Sequence, residues 1–214
     1  KVFLFEREEE PCIEIESFCT VTTKEMKEEL DVMLFSLRKF HDQPVHILCD
    51  SETKEYINSQ KYKEIYFYDD INASALEKAT EKTKDVEQKN SFHRKEAILK
   101  KMESMRLAFN CHNNTFFLDS DIVAVDSLDA GFRSELYLSP HYHPSPRTVC
   151  SLDFGFFNAG YVFTNNKDMP DTWEDLYLNR SMFFEQEGMT YLPEKYKTSI
   201  FGRDHNIGFW RDRA

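Results

Sequence analysis

The sequence predicts an α/β fold, a largely parallel central sheet flanked by helices, and three observations point to it. Strand-like and helix-like segments alternate along the first half of the chain. A compact apolar run, Thr115-Phe116-Phe117-Leu118, ends in two carboxylates one residue apart, Asp119 and Asp121. The chain has 214 residues with 41% hydrophobic content, including 19 Phe, enough to bury a substantial core.

The elements follow in order. Residues 1–11 are a charged lead-in, and 12–21 are apolar enough for a first strand closed by Thr20, Val21, Thr22 and Thr23. Residues 24–40 read as a helix, with Met26, Leu30, Met33, Leu34, Leu37 and Phe40 on one face and Thr23 as its N-cap. Residues 45–49 form a second strand, and Asp50 or Ser51 caps a short helix through Ile57. Residues 64–68 are a third strand, and 72–90 suit either an exposed helix or a loop.

A longer helix over 91–110 carries the stripe Ile98, Met102, Met105 and Phe109. Arg94 and Lys101 fall beside that stripe, whereas Lys100 points the other way. Such cations ordinarily snorkel or pair with a carboxylate. Because this helix leads straight into the Asp119 strand, they can also face the same pocket and supply the positive charge a pyrophosphate needs. Further on, 147–153 and 156–163 read as strands and 172–184 as a helix. Gly160 inside a strand signals either a bulge or the close approach of a ligand or backbone.

Composition removes several function classes. All six glycines lie at or after Gly131, so no Gly-rich phosphate loop can follow the first strand. That excludes Walker-type NTPases, dinucleotide enzymes with a glycine fingerprint and protein kinases. Asp plus Glu number 38 against 27 Lys plus Arg, a net charge of -11, which argues against nucleic acid as a partner. Five scattered cysteines, most read as small core residues, suit a reducing compartment, taken as the cytoplasm. No apolar segment has membrane-spanning length. The expectation is one domain over residues 1–214, excised from a longer protein.

Asp119-Ser120-Asp121 is the candidate metal site. Read as extended, its side chains at i and i+2 point the same way, and a divalent cation is the common means of holding two such carboxylates ionised. The same triplet also suits a turn capping the next segment. The apolar run continues through Ile122-Val123-Ala124-Val125, which a plain surface turn does not require. His141 and His143 look like a metal pair, but their prolines favour a surface loop.

Four landmarks, in order, resemble the metal-dependent glycosyltransferases of the GT-A fold, and most nearly the family 8 group that includes glycogenin and lipooligosaccharide galactosyltransferases. They are Leu118-Asp119-Ser120-Asp121, Phe157-Asn158-Ala159-Gly160, Glu185-Gln186 and His205-Asn206-Ile207-Gly208. The resemblance implies a GT-A-like (Rossmann-like) fold, mixed but mostly parallel. It implies a Mn²⁺ or Mg²⁺ ion held by Asp119, Asp121 and His205. It implies a UDP- or GDP-linked sugar near Thr20, Thr22, Arg94, Lys101, Asp119, Ser120, Asn158 and Gly160. Glu185 and Gln186 would lie near the reacting carbon, and Asp153 would line the side of a glycan or other hydroxyl acceptor.

Two departures stand out. The family's late segment continues through Lys-Pro-Trp, whereas here Gly208 precedes Phe209-Trp210-Arg211, leaving Arg211 or Arg203 to meet phosphate. The acidic-Gln pair carries Glu rather than Asp, one methylene longer, which leaves retention or inversion open. Rival readings are a phosphatase with an Asp nucleophile and a non-catalytic carbohydrate- or Ca²⁺-binding module. The phosphatase motif belongs after a first strand, and a calcium loop wants Gly where Ala124 stands.

Overall fold

The structure, a computed structural model, describes residues 11–69, 90–128, 131–141, 155–181 and 185–207, with the side chains of 69 and 90–97 left out. Residues 72–89, His143, the proposed strand 147–153 with Asp153, and Gly208 and Arg211 lie outside the described residues, as does the side chain of Arg94. Among the described residues no helix is long and apolar enough to cross a membrane.

Seven strands form one sheet in the order β3-β2-β1-β4-β6-β5-β7. They are β1 (Phe18–Val21), β2 (Val45–Cys49), β3 (Ile65–Asp69), β4 (Thr115–Leu118), β5 (Leu136–Pro140), β6 (Phe157–Thr164) and β7 (Thr198–Ile200). Among the described residues, pairings β1–β2, β2–β3, β1–β4 and β5–β7 are parallel, and only β6 runs antiparallel to its neighbours β4 and β5. The helices are α1 (Lys27–Leu37), α2 (Ser51–Gln60), α3 (Asn90–Phe109), α4 (Met169–Arg180) and α5 (Glu185–Met189). The expected mixed, mostly parallel α/β sheet is what forms.

Alternation along the strands divides the core. Phe18, Phe116 and Leu118 pack with α1 and α2 on one face, while Cys19 and Phe117 pack with α3 and α4 on the other. The central parallel strands β2 and β4 are buried on both faces, whereas the edge strands β3 and β7 are partly exposed. After β3 the chain returns across the sheet to place β4 beside β1. The carboxyl ends of β1 and β4 therefore flank a topological switch point, the place where open α/β sheets bind ligands.

Several sequence expectations are corrected. The first strand is shorter than 12–21, since Ile13 makes only an isolated bridge to Phe132. The first helix begins as a 3₁₀ turn (Lys24–Met26), and the Thr23 side chain makes no capping hydrogen bond. Phe40 lies beyond the end of α1 and is 40% exposed rather than buried. Asp50 is the residue that caps α2, accepting the Thr53 N–H. Helix α4 starts at Met169 and stops at Arg180. Of four described cysteines, Cys19 and Cys49 are buried and Cys12 and Cys111 are exposed.

Candidate active site

The chain leaves β4 at Leu118, and the Asp119 N–H donates to the Gly160 carbonyl at 2.9 Å, extending the β4–β6 ladder by one bond. It then turns, because the Ile122 N–H donates back to the Asp119 carbonyl at 3.1 Å. Asp119-Ser120-Asp121 is thus a β-turn rather than an extended i, i+2 pair. The turn sends the two carboxylates to different surroundings while keeping them near enough to interact.

Asp119, in phase with Phe117, meets α3. The Lys101 ammonium lies 2.9 Å from one Asp119 oxygen and 3.2 Å from the other. The same ammonium lies 3.5 Å from Glu185 Oε1 at the start of α5 and 5.5 Å from the centre of the Phe117 ring. Burial alone would strip the Lys101 proton, but Asp119 and then Glu185 outweigh it and hold the ammonium above its ordinary range. Lys101 therefore does both things the sequence allowed: it pairs with carboxylates, and it does so inside the site.

Glu185 is itself buried, and its backbone carbonyl accepts the Trp173 indole N–H at 3.0 Å. Trp173 is fully buried, so α5 is fixed to α4 through a bond worth about 1 kcal/mol. On the other side of α5, Gly155 adopts φ +86°, and a Cβ there would fall 2.3 Å from the Gln186 carbonyl oxygen. Only glycine allows this approach.

Gly160 lies at a bulge, one of its two readings, and the group that comes close to it is a side chain rather than a ligand or backbone. Paired residues Ser139↔Asn158 and Leu138↔Val162 are adjacent on β5 but four apart on β6, a bulge. The bulge inverts the strand's phase: Phe157 and Ala159 face α3 and α4, whereas Tyr161 and Phe163 face the α1 side. Asn158 Oδ1 accepts the Gly160 N–H at 2.9 Å and braces it. The close approach is made by Asp119, whose Oδ2 would lie 2.3 Å from a Cβ built on Gly160.

Asp121 faces α1. With Glu28, Glu29, Val32 and Val123 it lines an open cavity of about 230 Å³. Partial burial, and next the Asp119 charge, push its carboxyl above the usual carboxylate range. This cavity was invisible in the sequence, because only the tertiary approach of α1 to the segment after β4 creates it. Ser36 Oγ accepts the Ala124 N–H and His41 Nε2 accepts the Leu128 N–H, both at 2.9 Å, which fasten that segment to α1.

His205 lies in the segment after β7 and meets Tyr161 of β6. Its Nδ1 lies 3.3 Å from the Tyr161 hydroxyl, and its ring packs against Phe201. Among the described residues no three His, Cys, Asp or Glu side chains gather as a metal cluster. Two carboxylates nevertheless suit a hard divalent cation that takes its remaining ligands from donor phosphates and water rather than from an all-protein cage. Asp119, Asp121 and Glu185 against Lys101 leave two negative charges uncompensated, the charge a divalent cation offsets. The residues fit such an ion.

The remaining candidates lie as follows. Thr20 is fully buried on β1 with its hydroxyl unpartnered, and Thr22 is buried at the strand's exit. Ser120 is buried at the turn, Gln186 is half-buried beside Glu185, and Arg203 is exposed near His205.

No family model and no curated protein sequence matches this chain. Its architecture does match solved structures. Against the galactosyltransferase LgtC in complex with donor and acceptor sugar analogs, the TM-score is 0.58 at 16% identity, covering 86% of this chain and 72% of that one. The fold is the GT-A fold. The glycosyltransferase GlyE of Streptococcus pneumoniae TIGR4 gives 0.53 at 15% identity, with 88% of this chain covering 46% of that one. Core-mannan synthase A (CmsA/Ktr4) of Aspergillus fumigatus, in a Mn/GDP form, gives 0.53 at 9% identity, with 86% of this chain and 72% of that one covered. At these identities the GT-A likeness concerns the backbone architecture.

Proposed function

We propose that this chain is a metal-dependent glycosyltransferase domain, spanning residues 1–214, that moves a sugar from a UDP- or GDP-linked donor to a hydroxyl acceptor such as a glycan. The observation that carries the reading is Asp119 at the switch point of a GT-A sheet, tied through Lys101 to Glu185. Support also comes from relatives in the fold, one solved with donor and acceptor sugar analogs and one in a Mn/GDP form.

Asp119, Asp121 and His205 would hold a Mn²⁺ or Mg²⁺ ion. A divalent cation supplies Lewis-acid stabilisation of the charge that develops on a departing diphosphate. The chain's own groups do the rest. Lys101 is a fixed, partly desolvated ammonium beside Asp119, able to stabilise anionic phosphate oxygens without reorganising. Glu185 is paired with Lys101, which suits it to holding the ammonium in place. An inverting reaction would then draw on Asp153 as the acceptor's base. In a retaining one, Glu185 and Gln186 would flank the donor sugar. Five cysteines scattered through the sequence favour a reducing compartment such as the cytoplasm.

The test is donor turnover. Incubation with UDP- and GDP-linked hexoses should release nucleoside diphosphate with Mn²⁺ and not with chelator, faster when a sugar acceptor is present. Hydrolysis of phosphomonoesters without any nucleotide would overturn the reading in favour of the phosphatase. Binding of free sugar alone, with no turnover of any donor, would leave a carbohydrate-binding module.

A further inference from the structure

Asp50 is a buried carboxylate, 5% exposed, at the carboxyl end of β2, on the same sheet edge as Thr22 and Asp119. Its Oδ1 accepts the Thr53 N–H at 2.8 Å, which caps α2. A cap needs only that one oxygen. Its Oδ2 accepts the Lys24 N–H at 2.7 Å, a bond reaching back 26 residues to the turn between β1 and α1.

That turn has other bonds as well: the Met26 N–H donates to the Thr23 carbonyl at 2.9 Å, and just beyond it Lys27 pairs with Glu52 of α2 at 2.7 Å. Thr23 makes no side-chain cap to the 3₁₀ turn it precedes. The Thr22 N–H donates to the Leu48 carbonyl at 3.1 Å, and the Thr22 hydroxyl reaches the Thr23 carbonyl only at 3.5 Å. Of the bonds these backbone N–H groups donate, the one from Lys24 to Asp50 is the shortest and the one made to a charged acceptor, the stronger kind. Both partners of Asp50 are main-chain groups of elements leaving the same edge, so its carboxylate ties the backbone of the turn directly to the start of α2.

The geometry points to Asp50 as a positioning residue for the donor nucleotide, its carboxylate fixing the β1–α1 turn in the shape that receives the nucleoside. This rests on the transferase reading, in which that turn walls the donor site. A loop ordered before binding spares the cost of ordering it on binding, so the strap acts on affinity more than on chemistry.

Asp50→Ser separates the two bonds. Serine still caps Thr53 but is too short to reach Lys24 as well, so α2 keeps its start while the strap is lost. Titration of UDP and GDP with Mn²⁺ should show the dissociation constant of the bound nucleotide rising about tenfold, the size of one lost ordering bond. The donor KM should rise in parallel while kcat falls by less than about twofold. Hydrogen exchange at the Lys24 amide should quicken, and Tm should stay near wild type.

Unchanged nucleotide affinity and KM in Asp50→Ser, with the wild type binding normally, would overturn the strap and leave the transferase reading intact. So would a fall in kcat equal to the rise in KM together with a lowered Tm, the mark of a residue needed only for folding. If the wild type binds neither nucleotide, the transferase reading fails and the strap's role falls with it. Should Asp50→Ser not fold, Asp50→Asn, which keeps the shape and one acceptor oxygen, carries the same comparison.

Discussion

Lys101→Met should lower the unfolding free energy by about 2–4 kcal/mol and abolish donor turnover. The side chain is 16% exposed and pairs with two carboxylates, of which Glu185 is 9% and Asp119 35% exposed. Methionine keeps the stem's packing against Phe117 but leaves Glu185 buried without a counter-charge. Removing one partner of a buried pair typically costs about 3–5 kcal/mol, and the partial exposure of Asp119 moderates this. Urea unfolding of the variant is the direct measurement.

The pH dependence of that loss has a definite sign. The Lys101 pKa in the fold stands above its unfolded value of about 10.4. Its stabilisation is therefore complete below that value and disappears as pH rises through the folded pKa. The gap between wild type and Lys101→Met should stay level through neutral pH and narrow only in strong alkali. A gap that closed near neutrality would contradict an ammonium held by Asp119 and Glu185.

Gly160→Ala is the second large effect, and it is aimed at the metal site. The added methyl would stand 2.3 Å from Asp119 Oδ2 and 2.7 Å from its Cγ. A free carboxylate would swing aside, but this one is held by Lys101 and its own N–H is bonded to the Gly160 carbonyl. Either the ion pair opens or β6 shifts, at about 1–3 kcal/mol. Metal-dependent nucleotide affinity should fall by at least about tenfold, because a displaced Asp119 can no longer share an ion with Asp121. Wild-type affinity in Gly160→Ala would mean that Asp119 does not bind the ion from this position.

Much of the fold was legible because its signals are local. Strands β2 and β4 are apolar runs of definite length, and α1 and α3 carry stripes at helical spacing, so their existence and order follow from periodicity. Boundaries were less legible. Thr23 looks like a cap, yet the first turn is 3₁₀ and takes its hydrogen bonds from elsewhere. The site was legible in part. Asp119 and Gly160 were singled out separately, and only the antiparallel insertion of β6 beside β4 explains why one requires the other. The Asp119–Asp121 turn was one of two readings that residue types alone could not separate. Asp50 was read as a helix cap, which it is. Its second bond joins segments 26 residues apart, and no local pattern announces it.

The most direct test of the account is calorimetric titration of the wild type and Asp121→Asn with UDP and with GDP, each in Mn²⁺ and in chelator. The wild type should bind one of the two nucleotides in Mn²⁺ and neither in chelator, and Asp121→Asn should lose that binding while unfolding as cooperatively as the wild type. Equal binding with and without metal, or no binding of either nucleotide, would contradict a metal-dependent donor site at Asp119 and Asp121.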